Sequence, residues 1–222
     1  MNGLAPYSVE LFENLSKLTC IKNYCLIGGT ALALQLNHRL SEDFDFCRWK
    51  TRENEKISVD WSGIERELLQ LGAVTKNLLD HNQCDFNLKG VKLSFYGNNL
   101  SKAPAGLVRQ DFLNNIKVAD KTSIGIMKLE VMLRRYSFRD YYDIYAILKD
   151  GVPLKDLIEG ASKYSRHRLK TRDMFSMLTK GKNFEMDRNF AALQPKYKVD
   201  SNDIEHFLVE KIREMNEEKL NH

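Results

Sequence analysis

Asp43 and Asp45 occupy alternate positions of the hydrophobic segment Asp43-Phe44-Asp45-Phe46. Strand side chains alternate between two faces, so the carboxylates share one side while Phe44 and Phe46 anchor the other in a core. Two carboxylates so placed can hold one hard cation and, through it, phosphates. An edge strand with a solvated polar face carries the same pattern. Upstream, Gly28-Gly29-Thr30 stops an apolar run. The glycines permit close backbone approach and positive φ, and Thr30 with the start of a following helix offers hydroxyl and amide donors to an anion. Alone, the glycine pair is also compatible with a simple tight turn. On consecutive strands, a phosphate cradle and a metal platform are the working parts of metal-assisted phosphoryl or nucleotidyl transfer.

Other residues could serve that chemistry. Ser41 has the parity of Asp43, where its hydroxyl can bond a triphosphate oxygen or cap the turn. Arg39 and His38 can neutralise phosphate charge or stand in a solvated loop. Lys128 is surrounded by Ile124, Ile126, Met127, Leu129, Val131 and Met132 on a segment apolar nearly all round, so its ammonium needs a partner or a cavity unless it snorkels to the surface. Asp140 and Asp143 lie three apart on one helical face. Ser137 with Asp140 fits a capping box, which leaves Asp143 the better site candidate. The cationic run from Ser165 to Arg172 can contact an RNA backbone. It lacks interleaved aromatics and suits a solvated loop equally well.

The elements that must position these groups follow from periodicity. Val9, Leu11, Phe12, Leu15 and Leu18 predict an amphipathic helix over 8–18 with Ser8 as N-cap. Residues 24–27 predict a buried strand, 30–36 a short helix capped by Thr30, and 43–49 a second strand polar on one side. A helix over 58–71 ends at Gly72. Three strand-like runs follow at 73–79, 84–88 and 91–96, the last two joined by the turn pair Lys89-Gly90 as a hairpin. A loop around Pro104 and Gly106 precedes a short apolar piece at 116–118. Beyond residue 120 strand signals stop, and helices are predicted over 122–135, 140–149 and 203–219, with shorter ones near 154–161 and 169–178. The switch divides the chain into a mixed α/β domain, 1–119, and a helical domain, 120–222. The charged stretch from Glu210 to Lys219 reads as a solvated helix face.

At 222 residues, 43% hydrophobic and 29% charged, the chain is long enough for a substantial core. A net charge of +4 permits a nucleotide or RNA partner without demanding one. There is no apolar run of membrane-span length and no signal-peptide pattern at the N-terminus, so no membrane partner and a cytoplasmic location are expected. Cys20, Cys25, Cys47 and Cys84 form no CxxC pair and read as reduced, mostly buried hydrophobes.

Gly28-Gly29-Thr30, twelve intervening residues and Asp43-Phe44-Asp45-Phe46 resemble the signature of the polymerase-β-like nucleotidyltransferase superfamily. The longer run from Gly28 to Phe46 is similar to the AbiEii/AbiGii toxin family, with Asn37 where that family commonly has glycine. A second block, Met127-Lys128-Leu129-Glu130, Arg134-Arg135 and Arg139-Asp140-Tyr141-Tyr142-Asp143-Ile144-Tyr145, resembles the family's second motif. The resemblance covers about residues 20–150 and thins after Gly151. It implies an α+β fold, an N-terminal mixed-sheet nucleotidyltransferase domain with a C-terminal helical domain that closes the active-site cleft. It implies an NTP-dependent nucleotidyltransferase toxin of a toxin-antitoxin or abortive-infection system, with an RNA acceptor such as a tRNA 3′ end and a cognate antitoxin as partner. Asp43 and Asp45 would hold Mg2+ and act with Lys128 and Asp143 in catalysis, while Gly28, Gly29, Thr30, Ser41 and Arg39 bind the NTP. Polymerase-like transferases often have a third carboxylate on a later strand, and the strand at 91–96 offers none. One magnesium ion is therefore expected, or a site completed by Asp143 or by Asp85. Phosphoryl transfer to a protein or small molecule, and a catalytically degenerate protein that binds a nucleotide or a partner, are the alternatives.

Overall fold

A computed structural model describes residues 1–99, 102–107, 109–184 and 186–220, without the side chains of 218–220. The chain forms two compact units, Met1–Gln35 with Leu40–Ala103 and Leu107–Asp120, and Leu36–Arg39 with Pro104–Gly106 and Lys121–His222.

The first unit is built on one mixed sheet. Its elements are α1 (Pro6–Leu15), β1 (Cys25–Ile27), α2 (Gly28–Leu36), β2 (Phe44–Trp49), α3 (Trp61–Leu68), β3 (Val74–Asp80), β4 (Gln83–Leu88), β5 (Val91–Asn98), β6 (Arg109–Leu113) and β7 (Ile116–Ala119). The strand order is β3-β4-β5-β2-β1-β7-β6. β2 lies near the middle, antiparallel to β1 and parallel to β5. Its inward residues justify that place: Phe44 and Phe46 are buried, Phe46 stacking on Phe95 at 5.1 Å and Phe44 meeting Phe12 of α1 at 5.3 Å. Cys25, Cys47 and Cys84 are buried and Cys20 is half-buried, all as free thiols.

Three local expectations are corrected. α1 opens on Pro6 with Ala5 at the N-cap, because a proline in the first turn presets φ and lacks the N–H a cap would serve; Ser8 donates its hydroxyl to the Ala5 carbonyl instead. α2 starts at Gly28, two residues before Thr30, whose hydroxyl is used elsewhere. α3 runs only from Trp61 to Leu68, capped by Asp60, whose carboxylate accepts the Gly63 N–H at 3.1 Å. The sequence reading also missed β6, whose Arg109-Gln110-Asp111 start carries no strand pattern; it is an edge strand paired to β7 through a turn at Asn114.

The second unit is helical: α4 (Lys121–Met132), α5 (Phe138–Lys149), α6 (Leu154–Tyr164), α7 (Thr171–Leu178) and α8 (Ser201–Leu220). α4 and α6 approach closely at two glycines. A Cβ on Gly125 would stand 2.8 Å from Leu157 Cδ2, and one on Gly160 would overlap Ile126. Tyr141 of α5 stacks on Phe184 at 4.1 Å. The basic run from 165 to 172 spans the α6–α7 connection and the start of α7, with Arg166, His167, Arg168, Lys170 and Arg172 exposed. Along α8, Ile204, Leu208 and Met215 are buried, and the expected solvated face from Glu210 runs past the described side chains at 218–219. No described helix is long and apolar enough to cross a membrane.

Candidate active site

In the first unit, β-register places the carboxylates. Asp45 stands between Ile27 of β1 and Ser94 of β5, and Asp85 of β4 stands opposite Ser94. Asp85, Ser94 and Asp45 therefore form a row on one face, with exposed Asp43 at the entry of β2 on the same face. Gly28 has φ of 72°, and a Cβ there would stand 2.8 Å from Asp45 Oδ2, so only glycine lets the turn lie against that carboxylate. Gly29 continues into the first turn of α2. The Thr30 hydroxyl bonds the Asp43 carbonyl and lies 2.8 Å from Ser41 Oγ. These buried hydroxyls thus tie the start of α2 to the entry of β2.

Lys92 completes the face. Its backbone N–H donates to Asp43 Oδ1 at 3.3 Å, and its Nζ stands 2.9 Å from Asp85 Oδ2. The hydrogen bond to Asp85, with the charges of Asp85, Asp45 and Asp43, raises the Lys92 ammonium above its ordinary value. Among the described residues no group of three or more His, Cys, Asp or Glu surrounds a metal-sized gap. On this face Asp43 and Asp45 present hard carboxylate oxygens, the donor type that Mg2+ takes.

In the second unit, Asp143 is fully buried. Its Oδ1 accepts from His38 Nε2 at 2.7 Å and Arg39 Nε at 2.8 Å; its Oδ2 accepts from Arg39 Nη2 at 2.9 Å and from Lys128 Nζ at 2.7 Å. Lys128, 7% exposed, also reaches Asp140 Oδ1 at 2.6 Å, and Arg135 Nε donates to Asp140 Oδ2 at 2.9 Å. Buried partners, not snorkelling, satisfy this lysine. The expected capping box is absent: Ser137 is the N-cap of α5 without a side-chain bond, because Lys128 and Arg135 take the Asp140 carboxylate.

Burial would raise the Asp143 carboxyl, but Arg39 and Lys128 overcome that and hold it well below the usual range. Burial likewise works against the Lys128 ammonium, and Asp140 and Asp143 outweigh it, raising the lysine. His38 goes the other way. Burial lowers it, Asp143 offsets part of that, and Arg39 and Lys128 add to the lowering. A carboxylate only accepts, so neutral His38 carries its proton on Nε2, which leaves Nδ1 buried without a partner among the described residues. The ring stacks on Tyr142, whose hydroxyl donates to the His38 carbonyl at 3.1 Å.

The candidates thus fall into two sets. Gly28, Gly29, Thr30, Ser41, Asp43 and Asp45 lie together in the first unit; Arg39, Lys128 and Asp143 lie together in the second. Asn37, between them in sequence, takes φ of 47°, as a helix-ending asparagine can. Lys92 was not among the expected site residues, and Asp85 was expected only as a carboxylate that could complete the site, although a signal for their pairing existed. A two-residue turn at Lys89-Gly90 pairs Leu88 with Val91, which puts Asp85 opposite Ser94 and diagonal to Lys92. The Arg39–Asp143 pair joins residues 104 positions apart, and no local pattern announces it.

The nucleotidyl transferase AbiEii toxin family, type IV TA system, matches residues 92–218. The match contains Lys92, Lys128, Asp140 and Asp143. It starts after the Gly28–Asp45 stretch and continues through the helices beyond Gly151, where the sequence resemblance thins. An uncharacterized protein of Aquifex aeolicus (strain VF5) is 29% identical over 171 residues, 75% of this chain and 78% of that protein. A crystal structure described as a "putative nucleotidyltransferase" from H. pylori shares the fold, with a TM-score of 0.55 and 16% identity over 98% of this chain and 99% of that one.

Proposed function

This chain belongs to the nucleotidyl transferase AbiEii toxin family, and from that premise we propose that it transfers a nucleotidyl group from an NTP to an RNA acceptor such as a tRNA 3′ end. The carrying observation is the contact of the Gly28 turn with Asp45, on the face that also bears Asp43. The Gly28-Gly29 backbone and the N-terminus of α2 bind the triphosphate, favoured by the helix dipole. Ser41, fixed by Thr30, orients a phosphate oxygen. Asp43 and Asp45 hold Mg2+, which when bound would neutralise phosphate charge and make the α-phosphorus more electrophilic. An acceptor hydroxyl forms the new P–O bond as the bond to pyrophosphate breaks.

Lys128 and Asp143 support this by clamping Arg39 and His38. Those two residues lie in the connection between α2 and β2, so fixing them steadies the chain joining the cradle to the metal strand. A cognate antitoxin restrains the toxin in the cytoplasm.

Ser94, standing where a third carboxylate would complete the site, favours one other reading, a protein that binds nucleotide without transferring it. The test supplies each NTP, labelled at the α- or the γ-phosphate, with Mg2+ and total cellular RNA. The expected result is α-label in RNA, reduced about a thousandfold by Asp43→Ala or Asp45→Ala. Label from the γ-position in protein would establish phosphotransfer instead. Nucleotide binding with no transfer from any NTP would leave the degenerate binder.

A further inference from the structure

We propose that Lys92 is a covalently built-in cation of the carboxylate face, held by Asp85 beside Asp43 and Asp45, which takes the place of a second metal ion and leaves the protein dependent on one. The inference rests on the metal-strand reading above. Transferases that use two divalent ions about 3.5–4 Å apart need an additional carboxylate to hold the second. Here the register position beside Asp45 on β5 is Ser94, and the next carboxylate, Asp85, is one strand further out and engaged by Lys92 Nζ at 2.9 Å. The lysine is anchored at both ends: its backbone N–H holds Asp43 Oδ1 and its ammonium holds Asp85 Oδ2.

Exposure agrees with that role. The Asp85 side chain is 14% exposed and its Oδ1 has no hydrogen-bond partner among the described residues, whereas the Lys92 side chain is 50% exposed. The carboxylate is thus the fixed end of the pair and the ammonium the end that can meet a ligand. An ammonium cannot generate a metal-bound nucleophile, but it can stabilise charge growing on a non-bridging phosphoryl oxygen.

Mn2+ titrated into the full chain, with free Mn2+ read by electron paramagnetic resonance, counts the ions bound and their affinity, and RNA labelling at saturating Mn2+ gives the rate. Wild type should bind one ion. Lys92→Gln should bind Mn2+ about three- to tenfold tighter, or take a second ion, while labelling falls about tenfold or more. Lys92→Arg, which keeps the charge, should retain one ion and most of the rate. Two ions on wild type overturn the inference. So does Lys92→Gln with unchanged binding, whatever its rate, or with tighter binding and undiminished labelling, because the lysine would then only compete with the ion. If Asp45→Ala leaves the Mn2+ site intact, the metal-strand reading itself fails; if Asp45→Ala abolishes the site and Lys92→Gln is silent, only the role of Lys92 fails.

Discussion

Asp43 is exposed at the entry of β2 and Asp45 half-buried beside it, whereas Asp143 is shut away from solvent with donors on both oxygens. Both regions are made of aspartates with lysine or arginine close by, and they differ in water. Exposed carboxylates stay charged at little cost and can exchange hydration for a cation. A buried one must be neutralised where it stands, and its partners become as indispensable as itself. The first region is the one to which the proposed function assigns a ligand, and in the second both oxygens of Asp143 are already engaged by protein donors.

The contrast is broken most forcefully at Asp143. Asparagine keeps the shape but removes the charge facing Arg39 and Lys128, so Asp143→Asn should destabilise the protein by about 3–5 kcal/mol in urea unfolding. Asp43→Asn, at an exposed position where an amide oxygen can still accept the Lys92 N–H, should stay within about 0.5 kcal/mol. An Asp143→Asn protein as stable as wild type would show that the buried cluster does not hold the fold.

A smaller effect sharpens the ligand side. Gly28→Ala combines positive φ with a Cβ 2.8 Å from Asp45 Oδ2, while Gly90→Ala meets the same backbone strain at φ of 81° with nothing within 4 Å among the described residues. Each should lose about 1–3 kcal/mol of stability. Under the proposed function only Gly28→Ala should also lose nucleotidyl transfer, because only there must the carboxylate proposed to hold the metal move. Equal activity in the two variants would mean that the turn does not shape the site.

These regions were unequally legible in the sequence. Gly28-Gly29 and Asp43-Phe44-Asp45-Phe46 could be read because strand parity and turn chemistry act over a few residues, and the hairpin at Lys89-Gly90 for the same reason. The crowding around Lys128 showed that its charge needed a partner. It could not show that Arg39 and His38, drawn as phosphate-facing loop residues, would be claimed by Asp143, since that choice is made by packing over 104 positions. β6 was missed because an edge strand tolerates charged residues on both faces, and Ser8 was misassigned because Pro6 two residues earlier is the better helix start.

The smallest effect tests whether the buried cluster is held together by a neutral imidazole. His38 has its ionisation lowered in the folded protein, first by burial and further by Arg39 and Lys128, with Asp143 opposing. In the unfolded chain it returns to about 6.5 and binds a proton more readily. The unfolded state therefore holds more protons between the folded and unfolded values, and the contribution to stability is complete above pH 6.5 and drains away as pH falls through the lowered folded value. Asp143 acts in the same direction, from about 3.8 down to its lowered folded value, which lies below the pH span used to compare His38. Cooling of the melting temperature from about pH 7.5 to about pH 5 should be measurably greater in wild type than in His38→Gln, whose amide can still donate to Asp143 but does not titrate. Equal acid sensitivity in the two would mean that His38 folds already protonated, with Asp143 balancing three cations instead of two and a neutral donor.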